Sequence, residues 1–460
     1  MAGLPRLAGP IVELRAYQEE AVSHLLRTPY GGLLMDPGTG KTVCTLSAFW
    51  VLRRKRLLDT LLIVAPLRPA YEVWPAEVEK WKFPFRVEVL HGGKKDEALA
   101  RDAEIYVINY DGLRWLASSG RLQKWLKRFK NGVGLVLDES TKIKHTNTQR
   151  FKRLRNILPL FARRTILTGT PAPNGLLDLF GQVYAVDLGE KLGQYITHYK
   201  REFFYPSGYG GYSWVPQPGA EDAIYARLGE MFYRVSDDVL DLPPFNEVDI
   251  NIHLPEAAKK IYQGLERDFI LQLDSGMVTA LNAAVLTSKL RQVANGGLYD
   301  NEKTPHLVHE EKDNAIVDLV EQLQGNPLLI GYEFSMDAER LAKKLDAPIV
   351  GDHSMKELRV LFRDFNDGKI PALLAQMQAM AHGLNLQEAC HTIALHGLTW
   401  DLEAYLQFQK RVHRGGQKKP VTMHRVIAKD TVDEAVLAAL LRKTKTQSAL
   451  LDYFGSKRRH

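Results

Sequence analysis

Short apolar runs, each bounded by turn residues and followed by a polar stretch with helical spacing, recur through the first half of the chain. Gly32 to Met35, Thr60 to Ala65, Ile105 to Asn109, Leu135 to Leu137 and Thr165 to Leu167 read as buried parallel strands. Val43 to Arg54 carries the spacing of a helix between two of them. Repetition of strand, loop and helix predicts a doubly wound α/β sheet. The texture changes at Phe203 to Gly219, where Phe203-Phe204-Tyr205-Pro206 and Tyr209-Gly210-Gly211-Tyr212-Ser213-Trp214 crowd aromatics and glycines into a loop or hairpin. Leu242-Pro243-Pro244 then punctuates the chain, and the alternating run Val248 to Leu254 restarts it as a strand. Pro327 to Gly331, Pro348 to Val350, Ala372 to Ala375, Thr392 to His396 and Thr422 to Val426 repeat the α/β texture.

The pattern therefore predicts two tandem α/β lobes, 1–243 and 244–446, and a basic tail over 447–460. A length of 460 residues agrees with two cores rather than one. The composition, 45% hydrophobic and 25% charged, is that of a packed globular protein and excludes extensive disorder. Lys and Arg total 61 against 54 acidic residues, a net charge of +7 that suits a polyanionic partner without requiring one. The excess gathers at Arg53-Arg54-Lys55-Arg56, between Arg121 and Lys130, and at Lys457-Arg458-Arg459, each of which reads equally as a solvated face. Cys44 and Cys390 stand alone, with no spacing for zinc or a disulfide framework. No run is long enough to span a bilayer and no secretion signal opens the chain, so the expected location is the cytoplasm, with no membrane partner.

Chemistry enters after the first strand, at Asp36-Pro37-Gly38-Thr39-Gly40-Lys41-Thr42. Gly38 and Gly40 let the backbone turn its N–H groups inward around phosphate oxygens, with Thr39 between them. The following helix start adds positive potential, Lys41 reaches the outer phosphates, and Thr42 offers a hydroxyl to Mg²⁺. The strict phosphate-loop pattern has Gly where this chain has Met35. About a hundred residues on, Leu135-Val136-Leu137 delivers Asp138-Glu139 at the end of a strand. One carboxylate suits a metal shell and the other an attacking water, which assigns Asp138 to Mg²⁺ and Glu139 to catalysis. ATP and Mg²⁺ are the expected cofactors.

With these motifs in place the chain resembles helicase superfamily two, specifically its Swi/Snf-like branch of double-stranded DNA translocases. The resemblance implies two RecA-like lobes. Leu14-Arg15-Ala16-Tyr17-Gln18 is similar to the family's adenine-recognition motif, which implies that Gln18 reads the adenine edge with Arg15 nearby. Ile63-Val64-Ala65-Pro66 with Trp74 and Glu79-Lys80-Trp81, and Ile108-Asn109-Tyr110-Asp111, resemble motifs that face the nucleic-acid backbone, which implies contacts from Pro66, Arg68, Asn109 and Tyr110. Leu167-Thr168-Gly169-Thr170-Pro171 resembles the coupling motif, whose hydroxyls on Thr168 and Thr170 link hydrolysis to the track. Ala381-His382-Gly383-Leu384-Asn385-Leu386 resembles a motif touching DNA and nucleotide through Gly383 and Asn385, with His382 where the family carries a smaller residue.

The most specific match is Gln407-Phe408-Gln409-Lys410-Arg411-Val412-His413-Arg414-Gly415-Gly416-Gln417, followed by Thr431-Val432-Asp433-Glu434. It resembles the branch's arginine-finger motif, implying catalytic roles for Gln407, Arg411 and Arg414. Two arginines three apart fall on one helical face, and forked guanidiniums suit the charge of a transferring phosphoryl group. The compact chain with Phe204-Tyr205-Pro206-Ser207-Gly208-Tyr209-Gly210-Gly211-Tyr212 also looks like phage- and prophage-encoded members, which implies a bacterial host cytoplasm. The expected function is an ATP-dependent DNA translocase or helicase on double-stranded or branched DNA. An RNA helicase, a protein-displacing motor and a non-hydrolysing DNA clamp are the alternatives. The aromatic segment reads as a self-packed loop or as a wedge at a DNA junction.

Overall fold

The computed structural model describes residues 12–67, 69–207, 213–274, 280–378 and 385–456. The chain divides into two compact units, one running to Val239 and joined by the segment from Lys445, the other spanning Leu240–Thr444.

The first unit is built on seven parallel strands: β1 (Tyr30–Met35), β2 (Thr60–Ala65), β3 (Val87–Val89), β4 (Ile105–Asn109), β5 (Val133–Asp138), β6 (Arg163–Thr168) and, after the hairpin of β7 (Phe204–Ser207) and β8 (Ser213–Pro216), β9 (Phe232–Val235). Their order across the sheet is β3-β4-β2-β5-β6-β1-β9. All six pairings in this sheet are parallel. Every residue of β2 and β5 is buried, as the continuous apolar runs require. Alternate side chains serve opposite faces: Leu62 and Val64 join one buried cluster, and Leu61, Ile63 and Ala65 the other. The two edge strands were not foreseen. Val87–Val89 is only three half-buried residues, and Phe232–Val235 carries Arg234 inside a four-residue run.

The second unit holds β10 (Phe245–Ile252), β11 (Gly297–Tyr299), β12 (Pro305–Leu307), β13 (Leu328–Tyr332), β14 (Ala372–Gln376), β15 (Thr392–Leu395) and β16 (Val421–Ala428). Five of them form a parallel sheet in the order β10-β16-β15-β13-β14, and β11 pairs with β12 as a small hairpin. The strand expected at Pro348 to Val350 does not form. Pro348 has no N–H to give a ladder, only Ile349 makes a parallel bridge to Leu374, and Val350–Asp352 closes into a 3₁₀ turn. Both sheets are thus parallel, with helices between most successive strands among the described residues, the arrangement of two RecA-like α/β lobes.

A buried ionic cluster fastens the second unit. Lys312, fully buried, donates to Asp433 at 2.5 Å and to Asn295 at 2.9 Å. The Asn295 amide donates in turn to Asp337, and Arg340 bridges Asp337 and Asp313 at 3.1 and 2.8 Å. His396 lies 2.8 Å from Asp313. Burial opposes the charge of Asp313, but His396 and Arg340 outweigh it and hold its pKa at about 2. Among the described residues no helix is long and apolar enough to cross a membrane.

Candidate active site

Three turns meet at the carboxyl ends of three neighbouring parallel strands, β5, β6 and β1, where ligands bind in open α/β sheets. The first follows β1. Gly38 and Gly40 have φ of 88° and 94°, a left-handed backbone that a side chain would strain. Lys41 opens the helix Lys41–Arg54. Its Nζ donates to the carbonyl of Met35 at 2.7 Å, while Thr39 Oγ1 donates to the Asp36 carbonyl at 2.6 Å. Gln18 Nε2 donates to the Thr39 carbonyl at 3.0 Å, and Gln18 Oε1 accepts from the backbone N–H of Arg15 at 3.0 Å. The expected adenine reader therefore braces the phosphate loop against the first helix, Ala16–Arg27.

The second turn follows β5. Asp138 is buried, and its two carboxylate oxygens accept from Trp74 Nε1 at 3.0 Å and from the Glu139 N–H at 3.1 Å. Burial pushes the Asp138 carboxyl above the usual range, opposed by the nearby charge of Lys41 and by these hydrogen bonds. Glu139 has φ 50° and ψ 59°, a left-handed conformation uncommon for a residue with a Cβ. Tyr110 supports the turn from below by donating its hydroxyl to the Asp138 carbonyl at 2.8 Å.

The third turn follows β6. Thr168 is fully buried and its Oγ1 accepts from the Thr170 N–H at 3.1 Å. A Cβ on Gly169 would lie 3.0 Å from Pro37 Cδ and 3.2 Å from the Met35 carbonyl oxygen, so this turn rests against the glycine-rich loop after β1.

In the second unit the helix Leu402–Gln409 ends before the arginines. Residues 410–416 form turns, so Arg411 and Arg414 do not share a helical face as their spacing suggested. Arg411 is buried, with Nε donating to the Gln407 carbonyl at 3.0 Å. The side chain of Gln407 donates to Glu403 at 3.2 Å. Burial pushes the Arg414 guanidinium below its ordinary pKa. His413 and Gln417 are architectural: His413 is bound to the Pro243 carbonyl at 2.9 Å, and Gln417 Nε2 donates to the Cys390 carbonyl at 2.9 Å.

With this geometry in view, comparison with known proteins decides the family. Residues 17–296, more than half of the chain, match the SNF2-related domain, and residues 311–416 match the helicase conserved C-terminal domain. The chain belongs to the SNF2-related family of helicase superfamily two. It is an ATPase of that superfamily. Protein p41 of Acyrthosiphon pisum secondary endosymbiont phage 1 is 32% identical over 95% of this chain and 98% of its own length. An ATP-dependent helicase of Mycoplasma genitalium, MG018, is 27% identical over 93% of this chain but only 41% of its own. The RAD54-like DNA repair and recombination protein of Danio rerio is 24% identical over 97% of this chain and 68% of its own.

In this SNF2-related ATPase Pro66 and Tyr110 are both buried, and Tyr110 borders a groove on the first unit. Asn109 Oδ1 caps the next turn by accepting from the Gly112 N–H at 3.2 Å. Asn385 is exposed, whereas Arg68 and Gly383 lie outside the described residues. Much of the basic clustering is satisfied locally. Arg53 pairs with Glu104 at 3.0 Å, and Arg121 pairs with Asp96 at 2.8 Å while lying over the Trp115 ring. In the β7–β8 hairpin Trp214 packs against the core beneath Lys200, whose Nζ is 4.8 Å from the ring centre, while Tyr209 and Tyr212 lie outside the described residues.

Sequence reasoning missed Gln182 and gave Trp74 no part in the site. Trp74 was legible only as part of a motif, because nothing in the sequence marks an indole N–H as a carboxylate partner 64 positions away.

Proposed function

We propose that this ATPase is a motor on duplex DNA, using ATP hydrolysis to move along the double strand and remodel what is bound to it. The observation that carries the reading is the convergence of Lys41, Asp138 and the Thr168–Pro171 turn at the ends of adjacent strands, in a chain of the SNF2-related family. Hydrolysis machinery sits beside a turn positioned to sense it.

ATP and Mg²⁺ fit the residues present. The phosphate loop has the two left-handed glycines that turn N–H groups inward, and the buried Asp138 carboxylate keeps lone pairs beyond the two already engaged. Gly38, Thr39, Gly40 and Lys41 would hold the phosphates, Thr42 and Asp138 the metal, and Gln18 and Arg15 would border the base. Mg²⁺ supplies charge neutralisation across the phosphates when bound. Glu139 orients the attacking water and accepts its proton. Arg411, steadied by the Gln407 carbonyl, and Arg414 would offer guanidinium charge to the transferring group, and Thr168 and Thr170 would relay its loss.

A DNA partner is supported by the name of the RAD54-like relative and by a groove of 520 Å³ beside Tyr110, lined by Arg114, Lys142, Arg150 and Arg153. Such contacts grip phosphate rather than base, so sequence preference is expected to be weak and salt dependence steep. Asn109 in the first unit and Asn385 in the second are each expected to contact the nucleic-acid backbone.

The deciding experiment is steady-state ATP hydrolysis without nucleic acid and with duplex DNA, single-stranded DNA or RNA. Strong stimulation by the duplex supports the reading. Stimulation by RNA alone would make the chain an RNA motor, and no stimulation by any nucleic acid would overturn the reading.

A further inference from the structure

We infer that Gln182 is a positioning residue that locks the Asp138-Glu139 turn to the Thr168–Pro171 turn, so that movement of one is transmitted to the other.

Gln182 lies in the helix Leu179–Asp187, outside every sequence motif, and is 1% exposed. Its Oε1 accepts from Ser140 Oγ at 2.6 Å. Its Nε2 donates to the Pro171 carbonyl at 2.6 Å and to the Asp178 carbonyl at 2.8 Å. The amide orientation is fixed by chemistry, because a flipped side chain would set its oxygen against two carbonyl oxygens. Ser140 directly follows Glu139, the residue held at φ 50°, and is itself fully buried. Pro171 closes the turn whose Gly169 rests on the phosphate loop. One buried amide thus joins the residue after the catalytic carboxylate to the residue after the coupling threonines.

A second link runs parallel to it. Lys144 lies 3.4 Å from Asp178, and the same Asp178 oxygen accepts from the Asn174 N–H at 2.9 Å. The segments that follow the two turns are therefore joined through the same helix start, and the turns themselves cannot part by the length of a hydrogen bond without leaving the buried Gln182 amide unpaired. Because Gln182 reaches the reacting groups only through its neighbours, it acts by holding Glu139 in its strained geometry.

The inference rests on the ATPase reading of this site, and the test is read on nucleic-acid-free hydrolysis. A wild type that hydrolyses ATP but ignores DNA would count against the translocase reading and leave this one intact. Ser140→Ala, Gln182→Leu and the double variant are compared for kcat, KM for ATP and thermal unfolding. Ser140→Ala removes a single hydrogen bond and is expected to fold. On the inference, kcat falls about tenfold in each variant while KM stays within about twofold, since positioning errors weigh on the chemical step. The double variant is expected to be no worse than Gln182→Leu alone, because both remove the same link. Wild-type kcat in Ser140→Ala, or losses that multiply in the double variant, would overturn it. If Gln182→Leu fails to fold, Ser140→Ala still decides: a loss of kcat at constant KM and unfolding temperature supports the inference, and no loss overturns it.

Discussion

Lys41 Nζ lies 2.7 Å from the carbonyl oxygen of Met35, the last residue of β1. The ammonium group is thus held at the mouth of the phosphate loop by the strand that precedes it. A bound triphosphate offers oxygens of higher charge, so the lysine can exchange a neutral acceptor for an anionic one with little change in direction. Lys41→Ala removes the charge without touching the loop glycines. Hydrolysis is expected to fall by about two orders of magnitude or more, with ATP affinity reduced and unfolding temperature unchanged. Equal kcat in wild type and variant would remove Lys41 from the site.

Glu139 combines half-burial with a left-handed backbone. Glu139→Gln keeps size and backbone but cannot accept a proton. Its turnover is expected to drop roughly a hundredfold or more, while nucleotide binding, followed by fluorescence of a labelled analogue, persists. Loss of binding in step with turnover would show instead that Glu139 holds the nucleotide.

How much of this was legible in the sequence depends on the range of the interaction. Continuous apolar runs gave the central strands, because full burial on both faces demands them, and β2 and β4 match residue for residue. Short edge strands such as Val87–Val89 bury too little to leave a pattern. The phosphate loop is local, so its glycines and lysine could be read directly. Links between distant segments left no local mark: Trp74 to Asp138 spans 64 positions and Ser140 to Gln182 spans 42. Spacing alone misled at Arg411 and Arg414, since a three-residue interval implies a shared face only while the helix continues, and here it stops at Gln409.

Arg411 also supports its own turn. Arg411 is buried and bonded to the Gln407 carbonyl, so Arg411→Lys loses that bond together with the guanidinium fork. Arg414→Lys keeps a charge but no fork. Each is expected to lower kcat by roughly a thousandfold, the scale of an arginine finger, and Arg411→Lys is expected to lower the unfolding temperature as well. Near-normal kcat in Arg414→Lys would show that charge alone suffices there.

Acid should weaken the second unit before it reaches the range of ordinary carboxylates, and His309 is a main cause. Its Nε2 lies 2.8 Å from the Val293 carbonyl and its Nδ1 accepts from the Glu311 N–H at 3.2 Å, a pattern satisfied only by the neutral ring with hydrogen on Nε2. Burial pushes its pKa down to about 4, against an unfolded value of about 6.5. Between those values the unfolded chain takes up a proton that the folded one refuses. Stability therefore falls as pH drops from about 6.5 to 4, by up to about 3 kcal/mol. Asp313 acts in the same direction but at lower pH. Held at about 2 by His396 and Arg340, it contributes stability above its unfolded range and loses it only as pH falls toward 2. The two windows are separate, so a urea midpoint measured from pH 7 to pH 5 reports on His309 and on His424, whose pKa burial also lowers. His309→Gln, which can donate and accept at similar positions without titrating, is expected to flatten that slope in part. A variant that loses midpoint between pH 7 and pH 5 as steeply as the wild type would place the acid sensitivity elsewhere.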